Sequence, residues 1–208
     1  MKRVNRYFSL LLTLIGSLGV AQASITCNNF ITQADIGTTG FTITEPGIYC
    51  LAEDINFAPS ESSLSAIYIN SSNVTFSLNN FSISQTNAQP FTNGITVGTN
   101  QKRITIRDGK ITGFGTLGVH VLSGCSDLAF DSIVLDSIAN QEDALKNPAK
   151  VPYFVGGISL EAIDDLTIVN CSFNLTVNEG SGCPAITQAR GLYLKDVNGT
   201  NISNIFIS

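Results

Sequence analysis

The chain of 208 residues contains no tryptophan, one histidine and one methionine, and charged residues account for only 13% of it. The sequence shows no residue cluster from which we would predict a metal site or a cofactor. Positive charge is scarce, since 11 Lys and Arg residues stand against 16 Asp and Glu residues, a formal net charge of −5. An acidic chain is poorly suited to a polyanion, so nucleic acid is excluded as an expected partner.

Long hydrophobic runs are absent except at the N-terminus. Residues 1–6 carry three basic side chains, residues 7–20 are apolar, and the small-residue segment at 21–23 precedes Ser24. The apolar run is shorter than the ~20 residues that a bilayer requires, which favours a cleaved signal peptide of residues 1–23 over a membrane anchor. We therefore expect a secreted, periplasmic or cell-surface protein without a transmembrane segment after cleavage. The mature chain loses Lys2, Arg3 and Arg6 and no acid, so 8 basic and 16 acidic residues remain and the net charge becomes −8.

The five cysteines indicate an exported, oxidised chain, and their odd number leaves one thiol without a partner in the same molecule. We favour pairing Cys27 with Cys50 and Cys171 with Cys183, because each bridge would fasten an irregular segment. Cys125 is then the unpaired thiol. The sequence leaves this connectivity open.

A short alternating phrase recurs through the chain. Its five copies are Ala66-Ile-Tyr-Ile69, Gly94-Ile-Thr-Val97, Gly118-Val-His-Val121, Gly157-Ile-Ser-Leu160 and Gly191-Leu-Tyr-Leu194. Period-two alternation predicts a strand in each copy, with two apolar residues inside and one variable residue outside. A supersecondary unit repeated in this way is typical of a solenoid.

Two further strands per repeat are predicted from fixed spacing. Second runs begin at Val74, Ile104, Leu128, Leu166 and Thr200, and an apolar anchor follows each by seven residues, at Phe81, Ile111, Leu135, Phe173 and Ile207. At the corner between them stand Leu78, Asp108, Ser132, Asn170 and Asn204, which we interpret as a structural ladder bonded to the next turn. We predict one all-β domain, a right-handed single-stranded parallel β-helix of three-strand coils with about five to six turns.

The segments at 47–55 and 73–83 resemble the opening coils of secreted bacterial right-handed β-helix proteins of the pectin lyase-like superfamily. The resemblance covers residues 41–208 and lies in the coil motifs. It implies an N-terminal cap at 24–46 and a β-helix at 47–208. Because a solenoid also needs a cap at its far end, we expect a chain truncated at the C-terminus.

Enzymes of this superfamily commonly bind sugar chains along the first-strand face, which is implied here as a site for a polysaccharide or a cell-surface glycan. The predicted ligand-binding face consists of Tyr68, Thr96, His120, Ser159, Glu161, Arg190, Tyr193 and Lys195. Loops at 85–93, 137–156 and 176–190 would border this face. Two interpretations are open for Glu161, Arg190 and Lys195. They could act as a base, a carboxylate clamp and an acid. Alternatively, Glu161 and Lys195 form a surface ion pair on adjacent turns, which is the interpretation we favour.

Catalytic residues remain unassigned. The one adjacent acidic pair on the coil, Asp164-Asp165, opens a second run, and neighbours on a strand should point to opposite faces, unlike two glycosidase carboxylates. A basic cluster at 102–110 either binds an acidic polysaccharide or forms an inter-turn ladder, with Arg103 beside Asp127 and Arg107 beside Asp131.

The leading functional hypothesis is a surface protein without a recognisable catalytic site that binds glycans along its first face. A polysaccharide lyase or glycoside hydrolase of the same superfamily is the first alternative. An adhesin or a fragment of an autotransporter-like passenger is the second. Oligomeric state is left open.

Overall fold

A computed structural model of the chain describes residues 25–86, 91–136, 155–174 and 189–207. The described residues are 63% strand and include one short helix. The elements in chain order are β1 (Asn29–Ile31), α1 (Gln33–Ile36), β2 (Phe41–Ile43), β3 (Gly47–Leu51), β4 (Ile55–Phe57), β5 (Ser65–Ile69), β6 (Val74–Ser77), β7 (Ser82–Gln85), β8 (Asn93–Val97), β9 (Lys102–Thr112), β10 (Leu117–Val121), β11 (Ser126–Asp136), β12 (Val155–Val169), β13 (Ser172–Asn174), β14 (Ala189–Ser203) and β15 (Phe206–Ile207). The predicted signal peptide at 1–23 lies outside the described residues.

All pairings between these strands are parallel, and they form three columns. The first column stacks β2, β5, β8, β10 and the opening halves of β12 and β14. The second stacks β1, β3, β6, β9, β11 and the closing halves of β12 and β14. The third stacks β4, β7, the ends of β9 and β11, β13 and β15. The result is one curled parallel sheet with a solenoid-like repeat, compatible with the predicted coil.

The interior of the stack is filled by the apolar residues that the alternation predicts. Ile67, Ile95, Val119 and Ile158 are partners in the first column, and each is at most 1% exposed. Their burial stabilises strands that are too short to be stable alone, because each turn covers the apolar edge of the next. The buried hydrophobic residues of all three columns belong to one cluster.

Burial decreases in the last described turn. Leu192 and Leu194 are only partly buried, whereas Phe206 and Ile207 in β15 are 67% and 74% exposed. Leu192, Leu194 and Ile207 occupy inward positions of the repeat, but in the described structure they pair with one neighbouring turn rather than with two. Phe206 is the partner of Ser172 and occupies an outward position.

Glycines at the start of the first-column strands allow close packing of the third column. A Cβ at Gly94 would overlap Ile111 Cγ2 and lie 2.6 Å from the carbonyl oxygen of Gly118. A Cβ at Gly118 would overlap Leu135 Cδ2. The recurring glycine of the sequence phrase therefore leaves space for the anchor residue of the third strand.

One predicted anchor of the third column is wrong. Ile83, not Phe81, is the partner of Ile111 and is fully buried. The corner of that turn is longer, because Asn79 and Asn80 both adopt positive φ, at 54° and 65°. The fixed seven-residue spacing holds in the later turns, where Leu135 pairs with Ile111 and with Phe173.

The predicted corner ladder is confirmed in part, because four of its five members share one backbone conformation and Asn170 and Asn204 bond to a neighbouring turn. Asp108, Ser132, Asn170 and Asn204 all adopt positive φ, between 53° and 58°, a conformation that Asn and Asp tolerate better than most residues. Successive turns are linked through side chains, since Asn204 Nδ2 donates to Asn170 Oδ1 at 3.1 Å and Asn170 Nδ2 donates to Asp131 Oδ1 at 3.1 Å. Leu78 differs, because its side chain is fully buried.

The cysteines follow the prediction in part. Cys27 and Cys50 form a disulfide with a Cα–Cα distance of 5.8 Å, which fastens the start of the described chain to β3. Cys125 is free and buried, as expected. Cys171 is free, and its side chain is fully buried in the core. Its predicted partner Cys183 lies outside the described residues, so this bridge stays a prediction.

Residues 24–46, predicted as a cap, contain β1, α1 and β2. Helix α1 begins after Thr32, whose backbone N and Oγ1 both donate to Asp35 Oδ2, at 2.8 and 2.7 Å, and Ile36 is buried in the core. β2 pairs with β5 and so forms the first rung of the first column. Among the residues that the structure describes, there is no helix with the length and hydrophobicity needed to cross a lipid bilayer.

Candidate functional site

The predicted outward residues of the first column stand in register. Tyr68, Thr96, His120, Ser159 and Tyr193 are successive Cα partners. Each strand contributes one of them because side chains alternate across a strand. The structure thus brings the five variable residues of the repeated phrase into one row, here called the outer row.

The outer row is not uniformly accessible, which corrects the expectation of an open face. Tyr68, His120 and Tyr193 are partly exposed, whereas Thr96 is 6% and Ser159 3% exposed. Both buried residues have short side chains and lie between larger rings in the row. The accessible surface is therefore divided into two parts.

A cavity of about 400 Å³ opens over the first part, across β2, β5, β8 and β10. We call this cavity the groove. Its lining consists of Thr39, Gly40, Phe41, Thr42, Ser63, Leu64, Ser65, Tyr68, Asn93, Thr96, His120 and Leu122. The lining mixes apolar side chains with hydroxyl, amide and imidazole groups, and it includes no Asp, Glu, Lys or Arg from the described part of the chain.

The hydroxyls and the amide of the groove form a small network. Ser65 Oγ and Thr96 Oγ1 share a hydrogen bond of 2.7 Å, and Asn93 Nδ2 donates to Thr96 Oγ1 at 3.3 Å. Asn93 Oδ1 is a buried acceptor that has no donor among the described residues. A buried acceptor without a donor costs about 1–3 kcal/mol, so this amide keeps an unused bonding capacity beside the groove.

Tyr68 provides the aromatic surface of the groove. A Cβ added at Gly98 would lie 3.0 Å from the Tyr68 hydroxyl and 3.0 Å from Asn70 Oδ1. The glycine at this position therefore leaves room for the Tyr68 ring to lie along the face. A ring presented in this way offers an apolar face and a polar tip to a ligand.

His120 enters the groove as a neutral group. Burial lowers the pKa of its imidazole below the ordinary value of 6.5, because removal from water disfavours the charged form. At neutral pH one ring nitrogen therefore donates a hydrogen bond and the other accepts one.

The second part of the accessible surface is charged. Glu161, Arg190, Tyr193 and Lys195 lie on β12 and β14, where Glu161 and Lys195 are register partners, and we call them the distal group. Lys195 Nζ forms an ion pair with Glu161 Oε1, with both side chains about half exposed. Arg190 Cζ lies 5.0 Å from the centre of the Tyr193 ring, within the range of a cation–π contact.

The distal group contains the ion pair that the sequence analysis favours. The ion pair between Glu161 and Lys195 is formed, and its hydrogen bond raises the pKa of Lys195. Of the eight predicted face residues, Tyr68, Thr96 and His120 line the groove, Ser159 is buried, and the other four form the distal group. Most of the predicted loops at 137–156 and 176–190, and residues 87–90 of the predicted loop at 85–93, lie outside the described residues.

The basic cluster pairs differently from the prediction. Arg107 is the register partner of Asp131, as expected, but its guanidinium pairs with the adjacent Asp108. Lys110 pairs with Asp136 at 2.6 Å. Arg103 instead donates to the amide oxygen of Asn73. These contacts take the place of the predicted pairing of Arg103 with Asp127 and of Arg107 with Asp131.

The acidic pair also departs from the expectation. Asp164 and Asp165 are both exposed, because Asp165 adopts a φ of 55° that interrupts the strand alternation. Asp164 accepts a hydrogen bond from Asn198 Nδ2 at 3.0 Å on the next turn. The described residues contain no group of three or more His, Cys, Asp or Glu side chains placed to hold a metal ion.

Several groove residues were not predicted from the sequence. Thr42 is the register partner of Tyr68 and extends the outer row by one strand. Ser65 and Asn93 are the first residues of β5 and β8. The segment at 41–43 has the same alternation as the repeated phrases. This alternation indicates a strand of the first column, whereas the predicted boundaries assign the segment to a cap.

Comparisons of the chain with protein-family models, with curated proteins and with solved structures found no significant match.

Proposed function

We propose that this protein is a secreted right-handed parallel β-helix protein of the pectin lyase-like type that binds carbohydrate in the groove. The parallel register of three columns supports the coil, and the N-terminal sequence supports export. The disulfide between Cys27 and Cys50 is consistent with this location, since disulfides persist in oxidising compartments.

The observation that carries the proposal is the groove itself. It combines the ring of Tyr68 with the hydroxyls of Ser65 and Thr96, the amide of Asn93 and the neutral imidazole of His120. Sugars present apolar C–H faces and many hydroxyls, so an aromatic surface with nearby neutral donors and acceptors fits their chemistry.

Binding is the function that these groups support directly. Each can stack on a sugar or hold a hydroxyl without exchanging a proton with it. Glycoside hydrolysis, by contrast, needs two carboxyl groups that flank one bond, and the charged Glu161 is engaged by Lys195 in the distal group.

The proposal is tested by calorimetric titration of the full-length secreted protein with a panel of polysaccharide fragments. The panel comprises cello-, xylo-, manno- and chito-oligosaccharides, oligogalacturonate, alginate fragments and heparin fragments. We expect binding of at least one member, and a loss of about tenfold in affinity in Tyr68→Ala, because the ring loses its contact area.

Tyr193→Ala is the matched control, since Tyr193 stands in the same outer row but outside the groove. The proposal is rejected if no panel member binds, or if both tyrosine variants lose the same affinity. Release of unsaturated or reducing ends from any bound sugar would replace binding with turnover as the function.

A further inference from the structure

We propose that the groove selects uncharged saccharide units and discriminates against uronates. This inference rests on the proposed function and assigns the class of ligand to the same groove. Three observations support it: the charge of the lining, the bonding capacity of Asn93 and the positions of the cations.

Among the described residues, the lining gives a carboxylate no counter-charge. The side chains that line the groove are hydroxyl, amide, imidazole and apolar groups, and the larger apolar side chains are Phe41, Leu64, Tyr68 and Leu122. A carboxylate that enters such a site loses hydration without gaining an ion pair, which is costly. The mature chain, with 8 basic and 16 acidic residues, adds a repulsive field.

Four of the cations in the described part of the chain are engaged away from the groove. Arg107 pairs with Asp108, Lys110 pairs with Asp136, and Lys195 pairs with Glu161. The guanidinium of Arg190 lies over the Tyr193 ring. Each of these groups belongs to β9 or β14, whereas the groove lies across β2, β5, β8 and β10.

The polar groups of the groove favour a ligand that can donate hydrogen bonds. Asn93 Oδ1 lacks a donor among the described residues, and the neutral imidazole of His120 keeps one acceptor nitrogen. A hydroxymethyl group at C6 of a sugar can donate to such acceptors. An ionised carboxylate at the same position only accepts, so it leaves them unsatisfied.

The test uses pairs of hexasaccharides that share linkage and stereochemistry and differ only in oxidation at C6. These are cellohexaose with its celluronate, mannohexaose with its mannuronate, and carboxyl-reduced oligogalacturonate with oligogalacturonate. We expect that, in every pair that binds, the neutral member binds at least about tenfold more tightly at pH 7 and low salt.

A charge introduced at the groove should reverse this preference. Thr42 is exposed at the groove margin, and Thr42→Lys should strengthen the binding of the acidic member relative to that of the neutral member. Asn201→Lys is the matched control, because it adds the same charge at an exposed position of the second column; it should change neither affinity.

The outcomes separate this inference from the proposed function. The inference is overturned if a uronate binds as tightly as the neutral member of its pair, or more tightly. If the affinity for that uronate also falls in Tyr68→Ala, carbohydrate binding in the groove still stands. Absence of binding by both members of all pairs overturns the inference, and failure of the wider panel as well overturns the proposed function.

Discussion

The groove turns and the last described turn are built on one strand register, yet they differ in packing and in chemistry. In the groove turns β5, β8 and β10 are each paired on both sides, and inward residues such as Ile95 are fully buried. In the last turn Leu194 and Val197 are only partly buried, and Ile207 is largely exposed. The accessible surface of the first column shows the same division. Neutral groups lie in the groove turns, and the ion pair of Glu161 and Lys195 lies at the other end.

This difference shows that register and environment are separate determinants. Register decides which face of a strand a side chain occupies, and it is the same for Tyr68 and Tyr193. The neighbouring turns decide what the side chain can do there. Tyr68 borders a groove of hydroxyls and an amide, whereas Tyr193 lies beneath the guanidinium of Arg190.

The largest effect should come from truncating the third-column anchor of an interior turn. Leu135 is fully buried between Ile111 and Phe173, and Leu135→Ala should lower the free energy of unfolding by about 2–5 kcal/mol, because it removes buried area and leaves a cavity. Ile207→Ala at the same position of the last turn should cost no more than about 0.5 kcal/mol. Denaturant unfolding measures both, and equal losses would show that the two turns are packed alike.

A smaller effect should follow from adding one methyl group at the start of a first-column strand. Gly94→Ala should destabilise the protein by about 1–3 kcal/mol, because the new Cβ must displace Ile111 and the backbone of Gly118. Gly191→Ala is the matched change in the last turn, where the nearest atom of Phe173 would lie 3.2 Å away. The thermal midpoints should fall more for Gly94→Ala; a larger fall for Gly191→Ala would contradict the proposed packing.

The parts of the fold that could be predicted are those set by local alternation. The inward pairs and the outer row follow from a period of two, because each strand repeats it independently of the length of the connecting loops. The residue types at the corner, such as Asp108 and Asn170, also carry their own signal, since they tolerate the positive φ that the corner requires.

The parts that could not be predicted depend on neighbours far apart in the chain. The anchor at Ile83 rather than Phe81 results from two additional positive-φ residues, which a fixed spacing cannot anticipate. Thr96 is buried because larger residues stand on either side of it in the outer row. Likewise, the groove depends on β2 packing beside β5, and the burial of Cys171 depends on the whole core.

The smallest effect, and the one that tests the electrostatics of the groove, concerns His120 and pH. Burial lowers the pKa of His120 in the folded state, whereas in the unfolded chain it returns to the ordinary value of about 6.5. Below that pH the unfolded chain binds a proton that the folded chain does not, so stability is complete above about 6.5 and declines as the pH falls through this value toward the folded-state pKa.

His120→Gln removes this titration and keeps a neutral polar side chain at the same rung of the outer row. The free energy of unfolding should therefore decrease more between pH 7 and pH 5 in the parent protein than in the variant. The carboxylates, including Asp35 and Asp54 with their lowered pKa values, are common to both proteins and titrate mainly below this window. If the free energy of unfolding decreased equally in the two proteins, His120 would be as well hydrated as a residue of the distal group. The groove and the distal group would then differ in packing alone.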